Sequence, residues 1–483
     1  MSQTQLLING EFRPASNGAT FQRHDYVEDT LATLAAAATV EDAQAAVDAA
    51  ARAFPAWSQT GPDLRRRLLL NTAQVLTDLS AELADAMARE TGATHEWASF
   101  NIKLGAAILR EAASLTTSVR GETIPSDTPG CFSMSVRQAA GVVVGIAPWN
   151  APIILGVRAI ATALACGNTV VLKASEACPH THLLIGQAFQ QAGVPDGVVN
   201  VLTNAPADAG AIVNTLIDAP AVRRVNFTGS TGIGRLIAER CARNLKPALL
   251  ELGGKAPLIV LDDADLDGAV DAAVFGAFMN QGQICMSTER VIVTPGIADR
   301  FVAQLAQRAG KLLAADPREE DSPLGTVIDP QAAQRVRGLI ADAVAKGATR
   351  AAGEDGHGVR MPANVIDHVT SDMRLYAEES FGPVVSVIRA QDQNDAVRIA
   401  NASDYGLAAA VFTRDISNAL IVAGQIRSGL CHINGATVHD EPQVPFGGLG
   451  ASGYGRFGGE AGVAEFTDLR WVTIQTQPRH YPL

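Results

Sequence analysis

The feature that most constrains the fold is a regular alternation of short β-branched runs with longer helix-like segments. The first four runs are GVVVGIA (141–147), NTVVLKA (168–174), GVVNVLT (197–203) and VRRVNFT (222–228). Each is followed by ten or more residues with helix-like patterning. Continuous apolar strands that alternate with helices indicate a parallel sheet covered by helices on both faces. The alternation therefore predicts an open α/β fold.

The alternation begins again after LELGGKAP (250–257), where two glycines separate two apolar runs. The later runs share the same composition, and they are APLIVLDD, ERVIVTP, PVVSVIRA, AAAVFTR and GLCHING. We therefore predict two α/β domains. Towards the amino terminus, Asn9-Gly10 between apolar residues is typical of a tight hairpin. Ala-rich amphipathic stretches from about residue 39 to 117 predict helices, and CFSMSVRQ (131–138) predicts a strand.

Charge and cysteine usage exclude several classes of protein. The net charge is -12 and no run of Lys or Arg stands out, which argues against nucleic acid and anionic membranes as partners. The start, MSQTQLLINGEF, has no basic region followed by an apolar core, and Arg158 and Gly167 interrupt the most apolar segment. The six cysteines form no CxxC pair or zinc frame. We expect a cytoplasmic protein without a metal site.

Polar side chains follow two of the predicted strands directly. In IAPWNAP, an Asn150 held at the end of a strand can donate its amide to a substrate oxygen, or it can cap the following helix. In VLKASE, Lys173 and Glu176 lie past a strand end, the edge where open α/β sheets bind ligands. A carboxylate there can accept hydrogen bonds from ribose hydroxyls and repel a 2′-phosphate, which favours NAD over NADP. The alternative is a solvated charged turn.

The glycines of FTGSTGIGR lie between a predicted strand and a predicted helix. Gly229, Gly232 and Gly234 leave room for backbone N–H groups to approach a phosphate. Their spacing differs from the GxGxxG dinucleotide fingerprint, so a tight strand-to-helix turn is an equal alternative.

Cys285 lies in a polar stretch, NQGQICMSTER (280–290). As a nucleophile it would need an activating group, and a thiol hydrolase would use a His base. Glu251 lies 34 residues earlier, and no histidine is near either residue in sequence. His432 and His439 are the more distant candidates. The alternative for Cys285 is a buried, inert thiol.

Eight motifs in order resemble the aldehyde dehydrogenase superfamily almost end to end. They are PWN, KASE, FTGS, ELGGK, GQICMSTER, EESFGP, HING and PFGG. The resemblance implies a fold of two Rossmann-like open α/β domains with a small β bridging arm. It also implies an NAD-binding domain (1–118 and 140–250), a catalytic domain (251–450) and bridging segments (119–139 and 460–483) that form a homodimer or homotetramer.

The same resemblance implies roles for three residues. Cys285, as thiolate, would attack the aldehyde to give a thiohemiacetal, and the Asn150 amide and the Cys285 N–H would hold its oxyanion. Hydride transfer to NAD, or to NADP in its place, leaves a thioester, which Glu251 would hydrolyse by activating water. No metal is required. The cofactor contacts implied are Trp149, Lys173, Glu176, Gly229, Ser230, Gly234, Leu252, Glu379 and Phe381.

The stretch CHINGATVHDEPQVPFGGLGASGYGRFGG is similar to the branch that oxidises aromatic aldehydes such as benzaldehyde, vanillin and salicylaldehyde, and Ile284 before the nucleophile fits that branch. Gly450 departs from it, because many relatives carry a lysine there. Arg158 lies two helical turns after Ala151, so both could face the tunnel, although Arg158 could instead pair with a carboxylate. Trp97 is a second candidate for the aromatic wall, or an ordinary core residue. The alternatives to an aromatic substrate are a semialdehyde or an aliphatic aldehyde, and a thiol hydrolase or esterase.

Overall fold

Strands and helices alternate through most of the chain, of which the computed structural model describes residues 2–318 and 323–482. The strands are β1 (Ser2–Thr4), β2 (Leu6–Ile8), β3 (Glu11–Arg13), β4 (Thr20–Asp25), β5 (Thr30–Ala36), β6 (Cys131–Ala139), β7 (Val142–Ile146), β8 (Thr169–Lys173), β9 (Val199–Leu202), β10 (Val222–Thr228), β11 (Ala248–Glu251), β12 (Ala256–Val260), β13 (Thr288–Val293), β14 (Thr349–Ala352), β15 (Asn364–Asp367), β16 (Val384–Arg389), β17 (Ala408–Phe412), β18 (Leu430–Ile433), β19 (Gly453–Tyr454) and β20 (Thr467–Gln475). The helices are α1 (Val40–Ser58), α2 (Pro62–Asp78), α3 (Ser80–Thr91), α4 (His95–Leu115), α5 (Pro152–Ala165), α6 (Pro179–Gln191), α7 (Ala209–Asp218), α8 (Thr231–Arg243), α9 (Leu266–Phe278), α10 (Ala298–Ala309), α11 (Pro330–Ala345), α12 (Arg374–Ala377), α13 (Gln393–Asn401), α14 (Ile416–Gln425) and α15 (Gly459–Glu465). The predicted alternation is confirmed.

The larger sheet has the strand order β19-β11-β10-β7-β8-β9-β2-β3. Its central strands are parallel, with Val144 opposite Val171. Both faces of β7 are buried, because Val143 packs in one apolar cluster and Val142 and Val144 pack in another. Burial on both faces explains why these strands are continuous apolar runs and not alternating ones.

The second sheet has the order β14-β15-β16-β13-β12-β17-β18. It is parallel except for the antiparallel edge strand β14. Ile259 and Leu258, neighbours on β12, pack in two different apolar clusters on opposite faces. The predicted second α/β unit is therefore an open sheet covered on both sides.

The two sheets meet with opposite edges facing each other. Glu251 ends β11 of the larger sheet, and Ala256 begins β12 of the second sheet after only residues 252–255. The carboxyl ends of β7, β8, β10 and β11 therefore approach the amino ends of β12, β13 and β16. The motifs PWN, FTGS, ELGGK and EESFGP, together with Cys285, lie along this junction.

Helix α5 lies directly behind the junction and is buried along its whole length. It begins with Pro152, whose fixed φ suits the first helical turn. This helix contains the most apolar segment of the sequence. Within the two described ranges, no helix is long and apolar enough to cross a bilayer.

Two smaller sheets complete the fold. The predicted strand at 131–138 is confirmed as part of β6, which pairs antiparallel with β20 from Cys131 opposite Gln475 to Ala139 opposite Thr467. The ribbon leaves Trp471 73% exposed. The third sheet, β1-β5-β4, was not predicted, because the Ala-rich sequence of β5 carries little strand signal and its pairing with β4 decides its conformation.

The hairpin predicted at Asn9-Gly10 is confirmed. It joins β2 to β3, and both residues have positive φ, 56° and 79°. Two consecutive left-handed residues are the signature of a type I′ turn, which explains the Asn-Gly pair.

Candidate active site

Cys285 lies in the segment that joins α9 to β13. Residues 280–282 have φ of 50°, 55° and 69°, a left-handed turn that non-glycine residues adopt only where surrounding contacts hold them. The Gln283 side chain supplies one of these contacts, because its Oε1 accepts a hydrogen bond from the N–H of Ile328 at 2.9 Å. The turn thus fixes the path of the chain into Cys285.

The Cys285 thiol is half-buried and lines a cavity of about 270 Å³. Its pKa is raised to about 12, first by burial and then by the negative charges of Glu251, Glu379 and Asp440, while Arg158 opposes the shift. In this arrangement the thiol is protonated at neutral pH. A proton acceptor or an added positive charge is needed to form the nucleophilic thiolate.

Asn150 is fixed by three hydrogen bonds. Its side-chain Nδ2 donates to the carbonyl of Gln283 at 3.0 Å, so one of the two amide hydrogens remains for another acceptor. Its own carbonyl accepts from Trp97 Nε1 at 2.9 Å and from Asn280 Nδ2 at 3.0 Å. The N-cap of α5 is Ala151, so the helix-capping alternative for Asn150 is wrong.

Glu251, at the end of β11, is only 2% exposed. Within the described part of the chain, neither carboxylate oxygen has a hydrogen-bond partner. Burial raises the pKa of Glu251 well above its ordinary value, Asp440 adds to the shift, and Arg158 and Arg456 oppose it. A buried carboxylate without donors is poised to take up a proton.

The two glycines of LELGGK allow three segments to approach closely. A Cβ on Gly253 would lie 2.6 Å from Glu379 Oε2, and one on Gly254 would overlap the carbonyl oxygen of Cys285. The Gly254 N–H donates to Glu379 Oε1 at 2.9 Å. Burial raises the pKa of Glu379 to about 7, and this hydrogen bond opposes the shift. Larger residues at these positions would separate Glu251, Cys285 and Glu379.

Phe381 and Trp149 both line the 270 Å³ cavity. Their rings meet edge to face at a centroid distance of 5.7 Å. Arg335 donates to the carbonyls of Glu379 at 3.1 Å and Ser380 at 2.6 Å. The cavity is therefore bounded by two aromatic rings and a guanidinium.

A second cavity, of about 690 Å³, adjoins the first and shares with it Pro148, Trp149 and residues 228–230. Lys173 and Glu176 line its far part and form an ion pair. Because Lys173 and Glu176 pair with each other in this cavity, the alternative of a solvated charged turn does not describe them. The two cavities form one continuous cleft along the carboxyl edge of the larger sheet.

The amino terminus of α8 points into this cleft. Gly229 and Ser230 line both cavities, and the Ser230 side chain does not cap the helix. The first-turn N–H groups of such a helix favour an anion. Gly234 allows close packing, because a Cβ there would overlap the side chain of Leu252.

Arg158 forms a buried ion pair, the alternative that the sequence left open. Its Nη2 lies 2.7 Å from Asp440 Oδ2, and the two side chains are only 7% and 8% exposed. The guanidinium also lies over the ring of Phe446, 4.8 Å from its centroid. Within the described residues, Asp440 Oδ1 is buried without a hydrogen-bond partner. The charge of Arg158 is thus already compensated.

Trp97, Ala151 and Ile284 are all buried in one apolar cluster, against which Cys285 packs. The indole ring of Trp97 stacks on Phe100 at a centroid distance of 5.4 Å. Its N–H is committed to Asn150, so Trp97 also positions the candidate oxyanion donor.

Five charged or polar residues near the site were missed in the sequence. Asp440, Lys255 and Glu289 lie within the motifs quoted above. Their location in those motifs is the only sequence signal that could have identified them as part of the site. Arg335, which lines the smaller cavity, and Asn204, whose Nδ2 donates to the carboxylate of Glu176 at 2.9 Å, lie outside every motif. Their placement results from docking of distant segments.

A side chain at Gly450 would be crowded in this structure. Its φ is 60°, and a Cβ there would lie 2.7 Å from the carbonyl oxygen of Asp404. A lysine at this position would require the backbone to shift.

The histidines considered for a hydrolase contact one another. The rings of His432 and His439 lie 5.1 Å apart, and His439 Nε2 lies 3.1 Å from Glu441 Oε1. Neither lines the 270 Å³ cavity at Cys285. Among the residues that the structure describes, no cluster of three or more His, Cys, Asp or Glu could hold a metal ion.

Comparison with known proteins gives one consistent result. Residues 12–472 match the aldehyde dehydrogenase family. The chain is 58% identical to a vanillin dehydrogenase of Pseudomonas fluorescens, with both chains covered completely. It superposes on the crystal structure of a salicylaldehyde dehydrogenase from Pseudomonas putida G7 complexed with salicylaldehyde, with a TM-score of 0.98, 48% identity and complete coverage of both chains. A betaine aldehyde dehydrogenase from Staphylococcus aureus in complex with NAD+ gives a TM-score of 0.94 at 32% identity, covering 99% of this chain and 96% of that one.

Proposed function

The chain belongs to the aldehyde dehydrogenase family, and from this premise we propose that it oxidises an aromatic aldehyde to the carboxylic acid with NAD. One observation carries the proposal: Cys285, Asn150 and Glu251 line the same cavity. A nucleophile, an amide donor and a buried carboxylate are the groups that acyl transfer through a thioester requires.

The cleft fits a dinucleotide. Its larger part has the volume of a nucleoside pocket, about 690 Å³, and Gly229 and Ser230 at the start of α8 offer N–H groups to a pyrophosphate. Glu176, held by Lys173 and Asn204, would accept hydrogen bonds from the adenosine ribose and repel a 2′-phosphate, which supports NAD over NADP. Glu379 would bind the second ribose. When bound, NAD supplies the hydride acceptor.

Cys285 would form the covalent bond to the aldehyde carbon. The resulting oxyanion would receive the second amide hydrogen of Asn150 and the backbone N–H of Cys285 itself. Because Asn150 is already fixed on both sides, its amide needs no reorganisation as charge develops on the oxygen.

Glu251 would act on the thioester by removing a proton from water. Its raised pKa is the property that a general base working near neutral pH needs. Formation of the Cys285 thiolate would be favoured by the positive charge of the bound cofactor as well as by Glu251 acting through a water molecule, so it does not depend on Glu251 alone.

An aromatic substrate is supported by the names of the relatives and by the apolar cluster around Cys285. A semialdehyde is less well supported, because Asp440 already neutralises Arg158, the candidate clamp for a carboxylate. A hydrolase is less well supported because neither His432 nor His439 lines the cavity at the Cys285 thiol.

The test is NAD reduction with salicylaldehyde, vanillin, benzaldehyde, a short aliphatic aldehyde and succinate semialdehyde. We expect kcat/KM to be at least about tenfold higher for the aromatic aldehydes, since burying one ring is worth more than 1.4 kcal/mol. Cys285→Ala is the control that removes all turnover. A higher kcat/KM for the aliphatic aldehyde or the semialdehyde would overturn the aromatic assignment.

We also propose the division into an NAD-binding part (1–118 and 140–250), a catalytic part (251–450) and bridging segments (119–139 and 460–483). The ribbon of β6 and β20 would join copies into a homodimer or homotetramer, because Leu469, Trp471 and Ile474 are exposed on it. Light scattering of wild type and Trp471→Glu tests this, and a monomeric wild type would contradict it.

A further inference from the structure

A second buried ion pair lies on the cofactor side of the site, and none of the proposed chemical steps uses it. Lys255 follows Glu251 by four residues, and Glu289 follows Cys285 by four residues. Lys255 Nζ lies 2.7 Å from Glu289 Oε2, and the side chains are 0% and 4% exposed. A pair so completely removed from water is retained only where further hydrogen bonds compensate the cost of burial.

Those further hydrogen bonds all come from the loop that follows Glu379. Glu289 Oε1 accepts from the backbone N–H groups of Ser380 at 2.9 Å and Phe381 at 3.1 Å. Glu289 Oε2 accepts from the Ser380 hydroxyl at 2.7 Å as well as from Lys255. Four donors therefore converge on one carboxylate.

The loop needs this anchor because its backbone is strained. Phe381 has a φ of 46°, which is unfavourable for a bulky residue and persists only where the surroundings hold it. The conformation directs the Phe381 ring against Trp149 at the mouth of the smaller cavity. Without the acceptor Glu289, the two N–H groups that define the bend would be buried and unpaired.

The ion pair is also connected to Glu379 through Gly254. Gly254, whose N–H donates to Glu379 Oε1, is the residue directly before Lys255. The ion pair thus ties together the two segments between which the Glu379 carboxylate is held.

We propose that the Lys255–Glu289 pair is a positioning element that sets Glu379 and Phe381 for the nicotinamide-ribose end of the cofactor. The inference rests on the proposed use of NAD. It assigns to both charges a role in cofactor affinity and not only in stability. The carboxylate is required as an anion, because a glutamine would offer one oxygen to the donors and turn an NH2 group towards the others.

The test compares Glu289→Gln, Lys255→Met with Glu289→Gln, and Ser380→Ala with wild type. The Kd of NAD is measured by quenching of tryptophan fluorescence, beside hydrolysis of p-nitrophenyl acetate without NAD and the midpoint of thermal unfolding. Asp367→Asn is the matched control, since Asp367 is equally buried in the same sheet and pairs with Arg389 at 2.8 Å away from the cleft.

We expect Glu289→Gln to raise the Kd of NAD at least about tenfold, more than it changes ester hydrolysis. The double variant should regain thermal stability, because no lone charge remains buried, and still bind NAD weakly. Ser380→Ala, which removes one neutral donor, should raise the Kd about threefold and gives a result even if Glu289→Gln fails to fold. Asp367→Asn should lower the unfolding midpoint and leave the Kd unchanged.

A double variant or Ser380→Ala variant with wild-type Kd would overturn the proposal and leave the pair a purely structural one. A wild-type chain that does not bind NAD would overturn it together with the proposed cofactor. Failure of the substrate panel with normal NAD binding would instead overturn only the aromatic substrate, because the Kd comparison uses no aldehyde.

Discussion

Glu251 and Glu289 are two carboxylates buried to nearly the same extent, 2% and 4% exposed, on either side of the same cysteine. Glu289 receives four hydrogen bonds, whereas Glu251 receives none from the described residues. The first is held in place by its donors, and the second has a raised pKa and free lone pairs. Burial alone therefore does not identify a catalytic carboxylate. The number of hydrogen-bond donors around each carboxylate is what distinguishes the two.

The largest expected effect follows from removing the Glu251 carboxylate, which has no hydrogen-bond donors among the described residues. Glu251→Gln should lower steady-state turnover by about 10²–10⁴-fold, the usual contribution of a general base. It should preserve a first burst of NADH, because Cys285 still reacts and only the thioester persists. Stopped-flow absorbance of NADH measures both phases. Unchanged steady-state turnover would show that another group activates the water.

A smaller effect concerns stability and its dependence on pH. The unfolded chain ionises Glu251 near its ordinary pKa of 4.5, but the folded chain holds the proton to a much higher pH. Wild-type stability attributable to this group is therefore present below pH 4.5 and is lost as pH rises through the folded pKa. Glu251→Gln lacks this loss, so its advantage over wild type should grow between pH 5 and pH 8, by at most about 1.4 kcal/mol per pH unit.

Thermal unfolding midpoints of both proteins across that range test the sign. An advantage that stays constant from pH 5 to pH 8 would mean that Glu251 is already ionised in the folded protein.

The smallest expected effect concerns Asp440, a carboxylate intermediate between Glu251 and Glu289 in its number of hydrogen-bond donors. Asp440 has one oxygen paired with Arg158 and one without a partner among the described residues. Its charge raises the pKa of the Cys285 thiol, and Arg158 lowers it. Asp440→Asn should therefore speed alkylation of Cys285 by iodoacetamide at pH 7.5 about threefold, which is roughly half a pKa unit. Slower alkylation would contradict this reading of the electrostatics.

The parts of the site that could be predicted lie at strand ends of the larger sheet. Asn150 and Glu176 follow parallel strands, and the rule that ligands bind at carboxyl edges places them together. Cys285 and Phe381 precede strands, at the amino edge of the second sheet, where no such rule applies. Their assignment depended on motifs, because the meeting of opposite edges is a property of how two sheets dock.

Contacts between residues far apart in the chain could not be predicted from the sequence, for a related reason. Arg158 and Asp440 are 282 residues apart, and nothing in the local pattern around either residue names the other. The sequence left open whether Arg158 pairs with a carboxylate, and only the docked segments identify Asp440. The third sheet was not predicted because the conformation of the Ala-rich strand β5 is determined by pairing with its neighbours and not by intrinsic strand propensity.

The hydrogen bonds around Asn150 join residues that lie 53, 130 and 133 positions apart in the chain. A site assembled from such distant segments is completed late in folding, after the loops between them have closed. It is also the first feature to be lost when the segments separate slightly. In increasing urea, enzymatic activity should therefore disappear at a concentration at which the helical circular dichroism of the individual units is still intact.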